Sequence, residues 1–66
     1  MTMTNLSELS NAYEISERIA SLEISRSFIW SVIYQAHRNG DKPTIHEFNA
    51  KLDAVNKEIE TLIEQA

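Results

Sequence analysis

The sequence has no cysteine, a single glycine and a single proline among its 66 residues. Without cysteine there can be no disulfide and no thiolate metal site, which leaves two histidines and ten acids as the only ligand-bearing side chains. The lone Gly and the lone Pro fall together in Asn39-Gly40-Asp41-Lys42-Pro43. Nothing else in the chain is punctuated so strongly, and the cluster predicts one break between two long elements. Long apolar runs are also missing: Phe28 to Tyr34 is far short of the ~20 residues that cross a bilayer as a helix. Met1 to Ser7 has neither the positive start nor the apolar stretch of a signal peptide, so the expected location is the cytoplasm, with no membrane involvement. Positive charge is scarce as well. Six Lys and Arg against ten Asp and Glu leave a net charge of −4, which argues against a protein that works mainly by neutralising phosphates.

Size adds a further constraint. A chain this short makes one domain, 1–66, and buries only about 60% of the surface its unfolded form exposes. With disulfides excluded, oligomerisation is the staple that remains.

What is present is helical periodicity. Ile45, Phe48, Leu52, Val55, Ile59, Leu62 and Ala66 follow one another in steps of three and four, which places them on one stripe of a helix from about 45 to 65. Thr44 and Glu47 read as a capping box at its start. Glu47 with Lys51 and Asp53 with Lys57 supply acid-first i,i+4 pairs on its surface. Upstream, Ala12, Ile15, Ile19, Leu22, Arg26, Ile29, Ile33 and Ala36 make a second stripe, broken only by Arg26. This predicts a long helix one from about 11 to 39, with Asn11 and Glu14 as a capping box and Glu14 paired with Arg18. Residues 1–10 are either flexible or an extension of that helix, with Leu6 and Leu9 available to dock. Asn39-Gly40 suits a left-handed helix end, and Pro43 follows closely. The fold class is all-α: two helices joined by a short loop as an antiparallel hairpin. The β-branched and aromatic stretch Phe28 to Tyr34 could be a strand, but no turn signals bound it and no second strand is available to pair with it.

Helix one carries more apolar surface than one stripe can use. Ala20, Ile24, Phe28 and Val32 run at four-residue steps beside the first stripe, and Trp30 and Tyr34 flank it. The expectation is a homodimer in which two hairpins form a four-helix bundle. Ile24, Phe28, Trp30, Val32 and Tyr34 are the candidate dimer or partner interface, with Tyr13 as a further aromatic. Trp30 and Tyr34, one turn apart, are aromatics of the kind enriched at interface hot spots. Arg26 has two readings. Its stem packs along the core edge while its guanidinium reaches Glu23 or an acid of the other helix, or it is a buried register device that selects one dimer arrangement.

Candidate chemistry is thin. His37 and His46 flank the loop near Arg38, Asp41 and Glu47, and two imidazoles with a carboxylate could hold zinc. They form no i,i+4 pair and match no ligand spacing, so they read as surface histidines near a helix end, with no metal and no cofactor expected. Neither a nucleophile elbow nor a paired-carboxylate pocket is legible, and a two-helix hairpin offers no deep cleft; the chain does not read as an enzyme. A DNA-reading helix-turn-helix is disfavoured by the scatter of Arg18, Arg26, Arg38, Lys42, Lys51 and Lys57, and by the acidic end of helix two at Glu58, Glu60 and Glu64.

In its size, its Met1-Thr2-Met3-Thr4 opening and its single Asn39-to-Pro43 break, the chain resembles the very small, acidic, all-helical accessory proteins of lambdoid temperate phages. Those are encoded in the early region between the exonuclease and excisionase genes. The resemblance implies no enzymatic activity and a role, in the host cytoplasm, in modulating host processes or the choice between lysis and lysogeny through protein contacts. The function expected is therefore that of a small regulatory or adaptor protein with a protein partner. The alternatives are a DNA-associated transcriptional regulator and an antitoxin-like neutraliser.

Overall fold

The computed structural model describes residues 6–65, with side chains from Asn11 to Gln65. Two helices make up the fold, α1 over Leu6–Asn39 and α2 over Lys42–Gln65, packed against each other as a hairpin. Phe28 to Tyr34 is helical, and among the described residues there is no strand. Residues 1–5 of the expected N-terminal segment, the docking of the Leu6 and Leu9 side chains, and Ala66 of the second stripe lie outside what is described.

The connection between the helices is two residues long, and its geometry accounts for the reversal. Gly40 adopts φ 67°, the left-handed conformation that costs a residue without Cβ nothing. That turn lets the Gly40 N–H donate to the His37 carbonyl at 3.2 Å and the Asp41 N–H to the Ala36 carbonyl at 2.8 Å. This pair of bonds satisfies carbonyls that the end of α1 would otherwise leave open. Asp41 then caps α2. Its Oδ1 accepts from the Thr44 N–H at 3.3 Å, its Oδ2 accepts from the Thr44 hydroxyl at 2.6 Å, and its carbonyl accepts the first helical bond from Ile45 at 3.2 Å.

The start of α2 therefore corrects the sequence reading. Thr44 is not the cap but a first-turn residue capped by Asp41, and the helix begins at Lys42 with Pro43 inside its first turn. Proline is tolerated there because the N–H it lacks has no intrahelical partner in any case. Helix one likewise extends further back than Asn11, being helical from Leu6, so Asn11 and Glu14 lie within a helix and form no capping box.

Both apolar stripes meet where they were expected. Among the residues whose side chains are described, Leu22, Ile29, Ile33 and Ala36 of α1 and Leu52 and Ile59 of α2 are the buried ones. Phe48 and Val55 pack against the cluster of Ile29, Ile33 and Leu52. Ile15, Ile19, Ile45 and Leu62 are half-buried along the same seam, whereas Ala12 is exposed. The last point follows from length. With 34 residues against 24, α1 outruns α2 by about 15 Å at ~1.5 Å per residue, so the stripe has no partner at its N-terminal end.

One charged pair crosses the hairpin and one runs along α1, and neither is an i,i+4 pair expected from spacing. Arg18 turns to Glu58, at 2.9 Å from Nε and 2.7 Å from Nη2, and not to Glu14. Lys51 sits over the ring of Phe48, 4.8 Å from its centroid, instead of closing on Glu47. Among the described residues the ion pairs are Arg18–Glu58 and Arg26–Glu23, so Asp53 and Lys57 form none. Among the described residues no helix is long and apolar enough to cross a membrane.

Candidate interaction surface

The six buried residues leave much apolar surface outside. Ile24 is 73% exposed, Tyr13 65%, Phe28 64%, Tyr34 61%, Ile63 59% and Trp30 55%. Val32 is half-buried. All five candidate interface residues of α1 are thus at least partly open to solvent in one hairpin.

Their angular positions divide them. Residues four apart share a face, so Ile24, Phe28 and Val32 form one ridge, and Trp30 and Tyr34 form another. Phe28 and Trp30 lie about 160° apart around the axis at ~100° per residue, on opposite sides of the direction in which α2 packs. Ile24 faces almost directly away from α2. Contacts with α2 show which of its residues lie beside each ridge. Val32 and Ala36 line a shallow hollow with Asp41 and Thr44, and Arg18 reaches Glu58 on that same side. Arg26, on the Trp30 side, donates from Nη1 to the Asn56 Oδ1 at 3.4 Å.

The two sides differ in charge. From Ala20 to Ala36, the Ile24–Phe28–Val32 side of α1 carries only Ser21, Ser25, Ser31 and Gln35 as polar residues. The Trp30–Tyr34 side is bordered by Glu23, Arg26 and Arg38, and the Arg38 guanidinium lies 5.9 Å from the centroid of the Tyr34 ring. An Arg over an aromatic face is attracted by the ring quadrupole and holds the ring in an open, amphipathic setting. Arg26 itself is half-buried, with its guanidinium 3.8 Å from Glu23, so within one hairpin its polar partners come from both helices.

The loop end brings His37 and His46 to one hollow, together with Gly40, Lys42, Ile45 and Asn49. No acid lines it. Among the described residues, no three His, Asp or Glu side chains converge in a way that could hold a metal ion. Sequence reasoning missed Ile63 as an exposed apolar residue and Asn56 as the cross-helix partner of Arg26. Ile63 lies four residues after Ile59 and three before Ala66, so spacing alone gives it the same claim to the stripe as Leu62; its exposure was decided by the packing of the two helices. The Asn56 contact depends on how the two helices slide against each other, for which no local signal exists. In comparison with known proteins, no family model matches the chain, and no curated protein or solved structure matches it either.

Proposed function

We propose that this is a small non-enzymatic regulatory or adaptor protein that acts in the cytoplasm through protein–protein contacts, as a homodimer in which two hairpins form a four-helix bundle. One observation carries the reading: the apolar side chains left open on α1 include Phe28, Trp30 and Tyr34, each larger than any of the buried Leu, Ile and Ala side chains, and Ile24, which matches the largest of them. Fully burying a side chain of the Ile or Phe kind is worth roughly 1.5 to 3 kcal/mol. A chain with so small a core gains a large share of its stability by covering even two of them. Surface on both flanks of α1 means that a dimer can form on one and leave the other to a partner, as an adaptor requires. The role that the resemblance implies, modulation of host processes or of the lysis–lysogeny choice, is of this kind.

Two measurements test the proposal. Sedimentation equilibrium at micromolar chain concentration is expected to give twice the chain mass, and a stable monomer would remove the dimer. Affinity capture from cells, with and without nuclease, is expected to retain a protein partner that survives nuclease. Loss of all captured material on nuclease treatment would point instead to a DNA-associated regulator.

A further inference from the structure

The dimer proposed above does not say which flank of α1 meets the second copy, and the charge pattern selects one. In a two-fold contact every group near the axis faces its own copy, so a charge there meets a like charge. A chain of net charge −4 approaches itself closely most readily where its surface is uncharged or where its charges are matched by opposite ones across the axis. On α1 the first condition holds along Ile24, Phe28 and Val32 and fails beside Trp30 and Tyr34, where Glu23, Arg26 and Arg38 lie.

We infer that a second copy of the chain seats on the Ile24–Phe28–Val32 flank, with α1 antiparallel to its copy, the two-fold axis level with Phe28, and Lys51 of each subunit against Glu58 of the partner subunit. The inference rests on the homodimer reading. The α2 residues supply the second argument. Lys51 and Glu58 are seven residues apart, hence on the same side of α2, and the Arg18–Glu58 ion pair places that side beside the Phe28 flank. The two-residue turn at Gly40 and Asp41 sets Phe28 level with about residue 53 or 54 of α2, near the midpoint between Lys51 and Glu58. A two-fold axis at that level sets Lys51 opposite the partner's Glu58 and Glu58 opposite the partner's Lys51. Lys51 and Glu58, the α2 charges nearest the axis on that side, are therefore complementary to themselves, and Glu47 lies on the same side about 11 Å from the axis, well away from its own copy. Area agrees as well. One face of the hairpin, about 36 Å along α2 and about two helix diameters across, covers on the order of 700 Å², close to the ~800 Å² per partner of a stable interface. Trp30 and Tyr34 of both copies stay in solvent.

A charge-swap mixing experiment tests this arrangement. Lys51→Glu and Glu58→Lys each place like charges in both symmetric contacts, and each is expected to weaken its own homodimer by roughly tenfold. Mixed one to one, the two variants restore both attractive contacts, and the heterodimer is expected to outcompete either homodimer in sedimentation or native mass spectrometry. Phe28→Asp is expected to give a helical monomer by circular dichroism and sedimentation, whereas the double substitution W30A/Y34A leaves the dimer intact. If wild type is a dimer that W30A/Y34A dissolves and F28D does not, or if the mixed variants show no preference for each other, the flank and orientation are wrong while the dimer stands. A monomeric wild type overturns the dimer itself.

Discussion

Asp41→Ala tests the reasoning about how the hairpin turns. In the wild type, one exposed carboxylate accepts from both the backbone N–H and the hydroxyl of Thr44, at the positive end of α2. Removing an N-cap acceptor costs about 0.5 to 2 kcal/mol, and a negative charge at a helix N-terminus is worth roughly 0.3 to 1 kcal/mol of the same interaction. Because Asp41 is exposed, a total loss of about 1 to 2 kcal/mol is expected. For a chain of this size that is a fall of roughly 5 to 15 °C in the thermal midpoint. Asp41→Asn keeps an acceptor and loses the charge, so its loss should be about half as large. Urea denaturation followed by far-ultraviolet circular dichroism measures each difference, at one chain concentration throughout because association shifts the apparent stability. The competing description, a cap at Thr44 with Glu47 reaching back, predicts the reverse order. A Thr44→Ala loss larger than that of Asp41→Ala, or an Asp41→Ala effect of only a few tenths of a kcal/mol, would refute the Asp41 cap.

Three other substitutions probe different links of the structure. Gly40→Ala meets no neighbouring atom but forces a Cβ into the left-handed region at φ 67°, so a loss of about 1 to 2 kcal/mol in urea denaturation is expected, and a smaller one for Gly40→Asn. Leu52→Ala empties the position that joins Ile29 and Ile33 across the hairpin and should cost about 2 to 3 kcal/mol, the low end of core truncations because the seam is narrow; calorimetry would show it as a lower midpoint and a smaller enthalpy. Arg26→Leu removes the bonds to Asn56 and Glu23; sedimentation showing an altered oligomeric state is expected if Arg26 sets register, whereas an unchanged dimer of equal or higher stability assigns it to the edge of the core.

Periodicity made most of the fold legible in the chain alone, because the three-four spacing of Leu22, Ile29, Ile33, Leu52 and Ile59 dictates a buried stripe whatever lies opposite. The break was equally plain, since the chain's single glycine suits the left-handed residue a reversal needs, and Gly40 adopts that conformation. The limits of the elements were less so. Asp41 and Thr44 are both good caps by composition, and Pro43 looked like a barrier to helix when it is in fact the second residue of one. The surplus of apolar residues on α1 was visible as a count, and the exposure of Ile24, Phe28, Trp30 and Tyr34 in the hairpin accords with it.

The sequence by itself determined two amphipathic helices, their hinge and the excess of apolar surface on the first, all of which depend on residues within a few positions of one another. Tertiary structure alone decided that Arg18 turns to Glu58, forty positions away, rather than to Glu14 one turn away, and that Arg26 meets Asn56. It also decided which flank of α2 lies beside Phe28. Those outcomes follow from the way the turn at Gly40 and Asp41 sets one helix against the other. Sliding α2 by a single turn would move its side chains by about 5.4 Å and exchange every one of these partners, while leaving each helix's own pattern unchanged.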